Sequence, residues 1–73
     1  MTKTYTQDDI HTKAQNCVFP LITLYNAHAY FGTLSDIARQ TVNKHTDSKK
    51  TYTEAEMHEI LALVDSECRD YLD

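Results

Sequence analysis

Residues 52–72, Tyr52-Thr53-Glu54-Ala55-Glu56-Met57-His58-Glu59-Ile60-Leu61-Ala62-Leu63-Val64-Asp65-Ser66-Glu67-Cys68-Arg69-Asp70-Tyr71-Leu72, read as one long amphipathic helix, and that reading decides the fold. Thr53 and Glu56 have the spacing of a capping box, in which hydroxyl and carboxylate satisfy each other's orphan backbone N–H groups. Tyr52 and Met57 stand where a hydrophobic staple would close over the first turn. Met57, Ile60, Leu61, Val64, Cys68, Tyr71 and Leu72 then recur at helical intervals and fill an arc about 120° wide, the width of a core-facing stripe.

Upstream, the same grammar recurs. Thr6 is a good N-cap, Asp8 and Asp9 complement the positive end of a helix dipole, and Tyr5 with Ile10 form a second staple. Ile10, Ala14, Cys17, Val18 and Leu21 keep helical spacing. Pro20 lacks a backbone donor and crowds the carbonyl four residues earlier, so the pattern predicts helices over 7–18 and 20–31, or one helix kinked at Pro20. Leu21, Leu24, Tyr25 and His28 share a face of the second piece, and Gly32 is its expected C-cap. A short helix over 34–43 follows, with Leu34, Ile37, Ala38, Thr41 and Val42 inward. Lys44 to Thr51 contain no apolar residue and read as a solvated loop.

The expected architecture is therefore all-α: one domain over residues 1–73, a compact bundle of three to four helices with a long C-terminal helix. A single Gly and a single Pro argue against an all-β fold, which needs turn residues at each hairpin. A domain this small buries a modest share of its surface, and a homodimer or docking on a partner would add burial. Lys3-Thr4-Tyr5-Thr6 through His11 matches Lys50-Thr51-Tyr52-Thr53 through His58 at constant offset. This is either a duplicated unit or two independent solutions to starting a helix, and the ordinariness of the signals favours the second.

Charge is unevenly spread within a net −4. Residues 1–38 sum to −1, residues 39–50 to +3 and residues 51–73 to −6. Glu56, Glu59, Glu67 and Asp70 cluster on the outer flank of the last helix around Leu63, and these five residues are the candidate partner-binding face. A solvated face would carry the same charges.

Enzymatic signatures are missing. His11, His28, His45 and His58 make no HxxxH or HExxH spacing and the two cysteines make no CxxC, so no metal or cofactor is expected. Cys17 and Cys68 fall on apolar stripes, where cysteine serves as a small core residue rather than a nucleophile. One glycine cannot build a phosphate-cradling loop. No signal peptide is evident before Lys3, Asp8 and Asp9, and the apolar run from Cys17 to Phe31 is interrupted by Pro20, Thr23, Asn26 and His28. A cytoplasmic protein with reduced thiols and no membrane span is expected.

Two functions fit. The first is a small, acidic, non-catalytic protein that binds and regulates or inhibits a larger protein or complex. Small inhibitors encoded by phages and mobile elements, anti-CRISPR proteins among them, are often of this type, although −4 is sparse for a DNA mimic. The second rests on Thr33-Leu34-Ser35-Asp36-Ile37-Ala38-Arg39-Gln40, which resembles the first helix of a helix-turn-helix. That resemblance implies a DNA-associated transcriptional regulator over 33–50, with Arg39, Lys44, Lys49 and Lys50 on phosphates. The expected turn is missing after Gln40 and the next helix is acidic, so nucleic acid is the less favoured partner.

Overall fold

The computed structural model describes residues 3–46 and 51–73. Three helices carry the fold: α1 (Gln7–Tyr25), α2 (Phe31–His45) and α3 (Glu54–Leu72). Two-residue strands precede α1 and α3, β1 (Thr4–Tyr5) and β2 (Tyr52–Thr53), and a 3-10 turn over His28–Tyr30 leads into α2. Among the described residues, no helix is long and apolar enough to cross a membrane.

The two helix-start phrases lie against each other. β1 and β2 pair antiparallel with Tyr5 opposite Tyr52, so equivalent residues of the sequence echo face one another across a local two-fold axis. Each strand runs straight into a capping box. The Thr6 hydroxyl accepts from the Asp9 N–H at 3.2 Å while the Thr6 N–H donates to the Asp9 carboxylate at 3.0 Å. Thr53 and Glu56 repeat this at 3.2 and 3.0 Å. Both stapling pairs, Tyr5 with Ile10 and Tyr52 with Met57, are buried.

From this ribbon α1 and α3 run side by side in the same direction, with Cys17 beside Asp65 and Tyr25 beside Arg69. α2 returns antiparallel between them. The core consists of Ile10, Ala14, Val18, Leu21 and Ile22 of α1, Leu34, Ala38 and Val42 of α2, and Met57, Ile60, Val64 and Cys68 of α3, closed by Tyr5 and Tyr52.

Several expectations are corrected. Pro20 neither ends nor divides a helix: α1 runs through it to Tyr25. Pro20 is exposed, so the backbone bond it cannot make lies on the solvent side. The break falls at Asn26, whose left-handed backbone (φ 51°, ψ 46°) supplies the reversal expected of Gly32. The Asn26 N–H donates to the Thr23 carbonyl at 3.4 Å and the Ala27 N–H to the Ile22 carbonyl at 2.9 Å, the bonding of a Schellman cap with Asn in the usual glycine place. Gly32 lies within α2 and has no positive φ. The helix expected over 34–43 begins at Phe31 and extends to His45.

The expected solvated loop also starts late. Lys44 and His45 are helical and Thr46 is buried. The Thr46 hydroxyl donates to the Val42 carbonyl at 2.6 Å and accepts from Gln7 Nε2 at 2.7 Å, which ties the end of α2 to the start of α1. Leu24, expected on an inward face, is 68 % exposed, because the continuous register of α1 turns it about a quarter-turn off the buried stripe.

These reassignments give a paired prediction. Gly32→Ala adds a Cβ with no neighbouring atom within 4 Å in a helical position, and should stabilise the fold by about 0.4–1 kcal/mol. Asn26→Ala, at a left-handed position, should destabilise it by about 1 kcal/mol. Urea unfolding followed by circular dichroism measures both, and the reverse order would place the cap at Gly32.

Candidate functional site

The acidic face expected on α3 is partly a structural device. Glu56 is half-buried and holds the Thr53 N–H in the capping box. Glu59, Glu67 and Asp70 are exposed, and Leu63 is 40 % exposed. Leu63 and Glu67 line a groove of about 170 Å³ with Ile37, Gln40, Thr41, Lys44 and His45 of α2.

The basic residues proposed for nucleic acid do not gather on one surface. Arg39 pairs with Asp36 at 3.9 Å and lines a groove with Asp8, His11, Thr12, Gln15 and Asn43, between α1 and α2. Lys44 lies in the other groove, between α2 and α3. Five residues separate them, about 140° around the helix. Lys49 and Lys50 lie outside the described residues. No turn divides residues 33–45, which form one helix with Leu34, Ala38 and Val42 buried.

Polar contacts between α1 and α2 are satisfied internally. His11 Nε2 lies 2.9 Å from the Asn43 side-chain oxygen, and Ser35 donates to Gln15 at 2.6 Å. Among the described residues, no three His, Cys, Asp or Glu side chains converge as metal ligands.

Both thiols are free. Burial, with the Asp65 carboxylate nearby, pushes the Cys17 thiol up. The same two causes push Cys68 up to about 11, with smaller contributions from Cys17 and Glu67. Cys68 is fully buried, with Sγ 3.8 Å from the Leu34 carbonyl oxygen. These shifts oppose the lowered pKa that a nucleophilic cysteine needs.

The most distinctive surface was not read from the sequence. Residues 14–35 contain no Asp, Glu, Lys or Arg, and they form the second half of α1, the 3-10 turn and the start of α2. Around them runs a band of half-exposed aromatic rings. Phe19 packs on Phe31 with centroids 5.5 Å apart, and Tyr30 meets Tyr71 edge-on at 5.8 Å. Phe19 is 50 %, Phe31 41 %, Tyr30 49 % and Tyr71 47 % exposed. Tyr25 and Leu24 are exposed beside them at the end of α1. A hollow of about 300 Å³ lies between Tyr30, Tyr71 and Leu72. The signal that could have found this end is the charge-free run; Tyr71, expected on the core-facing stripe of α3, is instead half-exposed because it lies past Cys68, the last buried residue of that helix, and the other rings lie off the stripe or beyond the core's end.

Comparison with known proteins returns no match among family models, curated proteins or solved structures.

The thiol geometry predicts a pH dependence. The folded-state pKa of Cys68 lies above its ordinary value, so its contribution to stability is full below pH 9 and is lost as pH rises through about 11. Urea midpoints should therefore fall between pH 9 and 11, and the part of the fall due to Cys68 should vanish in Cys68→Ala. An identical alkaline profile in that variant would remove Cys68 as the cause.

Proposed function

We propose that the protein is a small, non-catalytic binding module that acts by covering a surface of a larger protein or complex and regulating or inhibiting it. The type is that of phage- and mobile-element-encoded inhibitors such as the anti-CRISPR proteins. The observation that carries the reading is the aromatic band at the charge-free end. Half-exposed Phe and Tyr rings in contacting pairs, most of them within the charge-free run 14–35, have the composition of an interface centre rather than of ordinary surface. Each ring has about 150–250 Å² to bury, so four rings half-exposed, with Tyr25 and Leu24, offer a patch of several hundred Å², at the upper end of what monomers leave exposed.

Asp70 and Glu67 extend from this end along α3 and would supply a polar rim, with Leu63 an apolar contact further along the helix. On this reading the acidic flank would extend the binding surface along α3, with Glu59 at its far edge. A DNA-associated role for residues 33–50 has less support, since Arg39 and Lys44 point to different grooves and α3 would bring carboxylates to the phosphates.

Affinity capture from nuclease-treated lysate of the source cells tests the proposal. One dominant protein should be retained by the tagged chain, and Phe19→Ser with Phe31→Ser should weaken its binding about 30-fold or more, the effect of losing about 2 kcal/mol at an interface centre. Circular dichroism should remain helical, because both rings are already half in solvent. Reversing charge at Glu59, Glu67 and Asp70 together should weaken binding less than the aromatic pair does. Recovery that disappears with nuclease would move the function to residues 33–50.

A further inference from the structure

A second surface lies beside the ribbon, at the other end of the molecule from the aromatic band. There a hollow of about 400 Å³ is lined by Lys3, Thr4 and Tyr5 at β1 and by Asp9, Lys13 and Asn16 on α1. Lys3 precedes Tyr5 by two residues, the spacing that puts side chains on one side of an extended chain. Asp9, Lys13 and Asn16 stand at i, i+4 and i+7, on one face of a helix. The two elements therefore bring both ammonium groups to one ring: Lys3 Nζ lies 5.5 Å and Lys13 Nζ 5.7 Å from the Tyr5 centroid. A single cation is attracted by the ring's quadrupole, but the second sets like charge beside like charge. The chain has 11 acidic residues against 7 lysines and arginines, yet among the described residues no carboxylate pairs with either lysine. Asp9 has the spacing for a helical ion pair with Lys13, but its carboxylate instead accepts the Thr6 N–H at 3.0 Å in the capping box.

We infer that this hollow binds a phosphate monoester, its dianionic group held between the Lys3 and Lys13 ammonium groups. Two unpaired cations match the two charges of a monoester, and lysine holds phosphate as a compact point charge on a flexible stem. The Thr4 hydroxyl and the Asn16 amide make no hydrogen bond among the described residues, and both line the hollow as neutral donors for the remaining phosphate oxygens. The Thr12 hydroxyl, also on the lining, already donates to the Asp8 carbonyl at 3.1 Å. The hollow falls within the about 300–1,000 Å³ usual for small-ligand sites, so space remains beside a phosphate for the group it esterifies. A phosphorylated small molecule and a phosphorylated side chain of another protein share this chemistry.

The same groups disfavour other anions. A carboxylate brings one charge to two ammonium groups and leaves the like-charge contact half relieved. The diesters of nucleic acid also carry one charge each, and the next hollow, across Thr12, presents Asp8 to a continuing strand. Asp9 opposes every anion equally, and its place at the positive end of the α1 dipole offsets part of its charge. The inference does not rest on the aromatic band, which shares no residue with this hollow.

The test follows the Tyr5 ring and the Lys13 and Asn16 amides of the whole protein by NMR at constant ionic strength. The probes are methyl phosphate, dimethyl phosphate, acetate and the peptide acetyl-Gly-phosphoserine-Gly-amide. Methyl phosphate should shift these resonances saturably, about 10-fold more tightly than dimethyl phosphate or acetate. Lys3→Gln and Lys13→Gln should each remove most of that preference and leave circular dichroism helical, because both side chains are exposed. Lys13→Arg, which keeps the charge, should retain it to within about 3-fold. A phosphoserine peptide binding about 10-fold more tightly than methyl phosphate would support the site and name a phosphorylated protein as the source. Equal affinity of the two would support it with a small phosphorylated molecule as the source. Equal response to all the anions would reduce the effect to charge screening and overturn the inference. Unchanged preference in both Gln variants, or no saturable shift at millimolar methyl phosphate, would overturn it as well. None of these results bears on capture through Phe19 and Phe31, so the two readings fail separately.

Discussion

The ribbon of Thr4–Tyr5 against Tyr52–Thr53 is the constraint on which the other contacts depend. Each strand is two residues long and would not hold alone in water. It holds because each strand ends in an N-cap and each tyrosine is buried over the first turn that follows. Pairing Tyr5 with Tyr52 aligns the starts of α1 and α3, and their parallel course leaves one trough in which α2 lies. Gln7 then fastens the end of α2 through Thr46. The starts of α1 and α3 are thereby organised at the ribbon, whereas the opposite end is closed by the Asn26 cap and by aromatic contacts.

That difference between the ends also separates their chemistry. At the ribbon, polar groups are consumed by capping boxes and the Gln7–Thr46–Asn43 contacts. At the far end the core runs out before the aromatic residues do. Leu21 and Ile22 are the last fully inward residues of α1, and Tyr25, Tyr30, Phe31 and Tyr71 lie beyond or around them. Tyr30 covers Tyr71 and Phe31 covers Phe19, and all four rings remain open to the outside.

Much of the fold was legible because local signals and the global arrangement agree. The N-cap at Thr6, the capping box at Thr53, both staples and the stripe from Met57 to Cys68 each have one consistent solution and took it, while the return bond from Asp9 that completes a box at Thr6 came only with the structure. Pro20 misled because it lies off the buried stripe of α1, on the solvent side, where a carbonyl without its helical donor can be satisfied by water and the helix continues. Gly32 misled for the complementary reason: Asn also enters the left-handed region, and Asn26 stood where the stripe of α1 required the turn. The pairing of the echoed phrases depends on contacts between distant residues, so nothing local signalled it. For the site, the acidic flank was legible as periodicity, but the aromatic end required knowing where the core stops.

The rings at the aromatic end are only partly covered by the fold. Phe19 and Leu24 contribute little to the core at their exposures, and polar residues at the same positions would serve α1 as well. Exposed, contiguous rings carry a continuing tendency to associate, which a net charge of −4 concentrated on α3 opposes between copies of the chain. The acidic flank beside the rings thus has two consequences from one charge distribution. It sets like charges against each other when two copies approach through α3, and under the proposed binding role it would favour a partner of opposite charge.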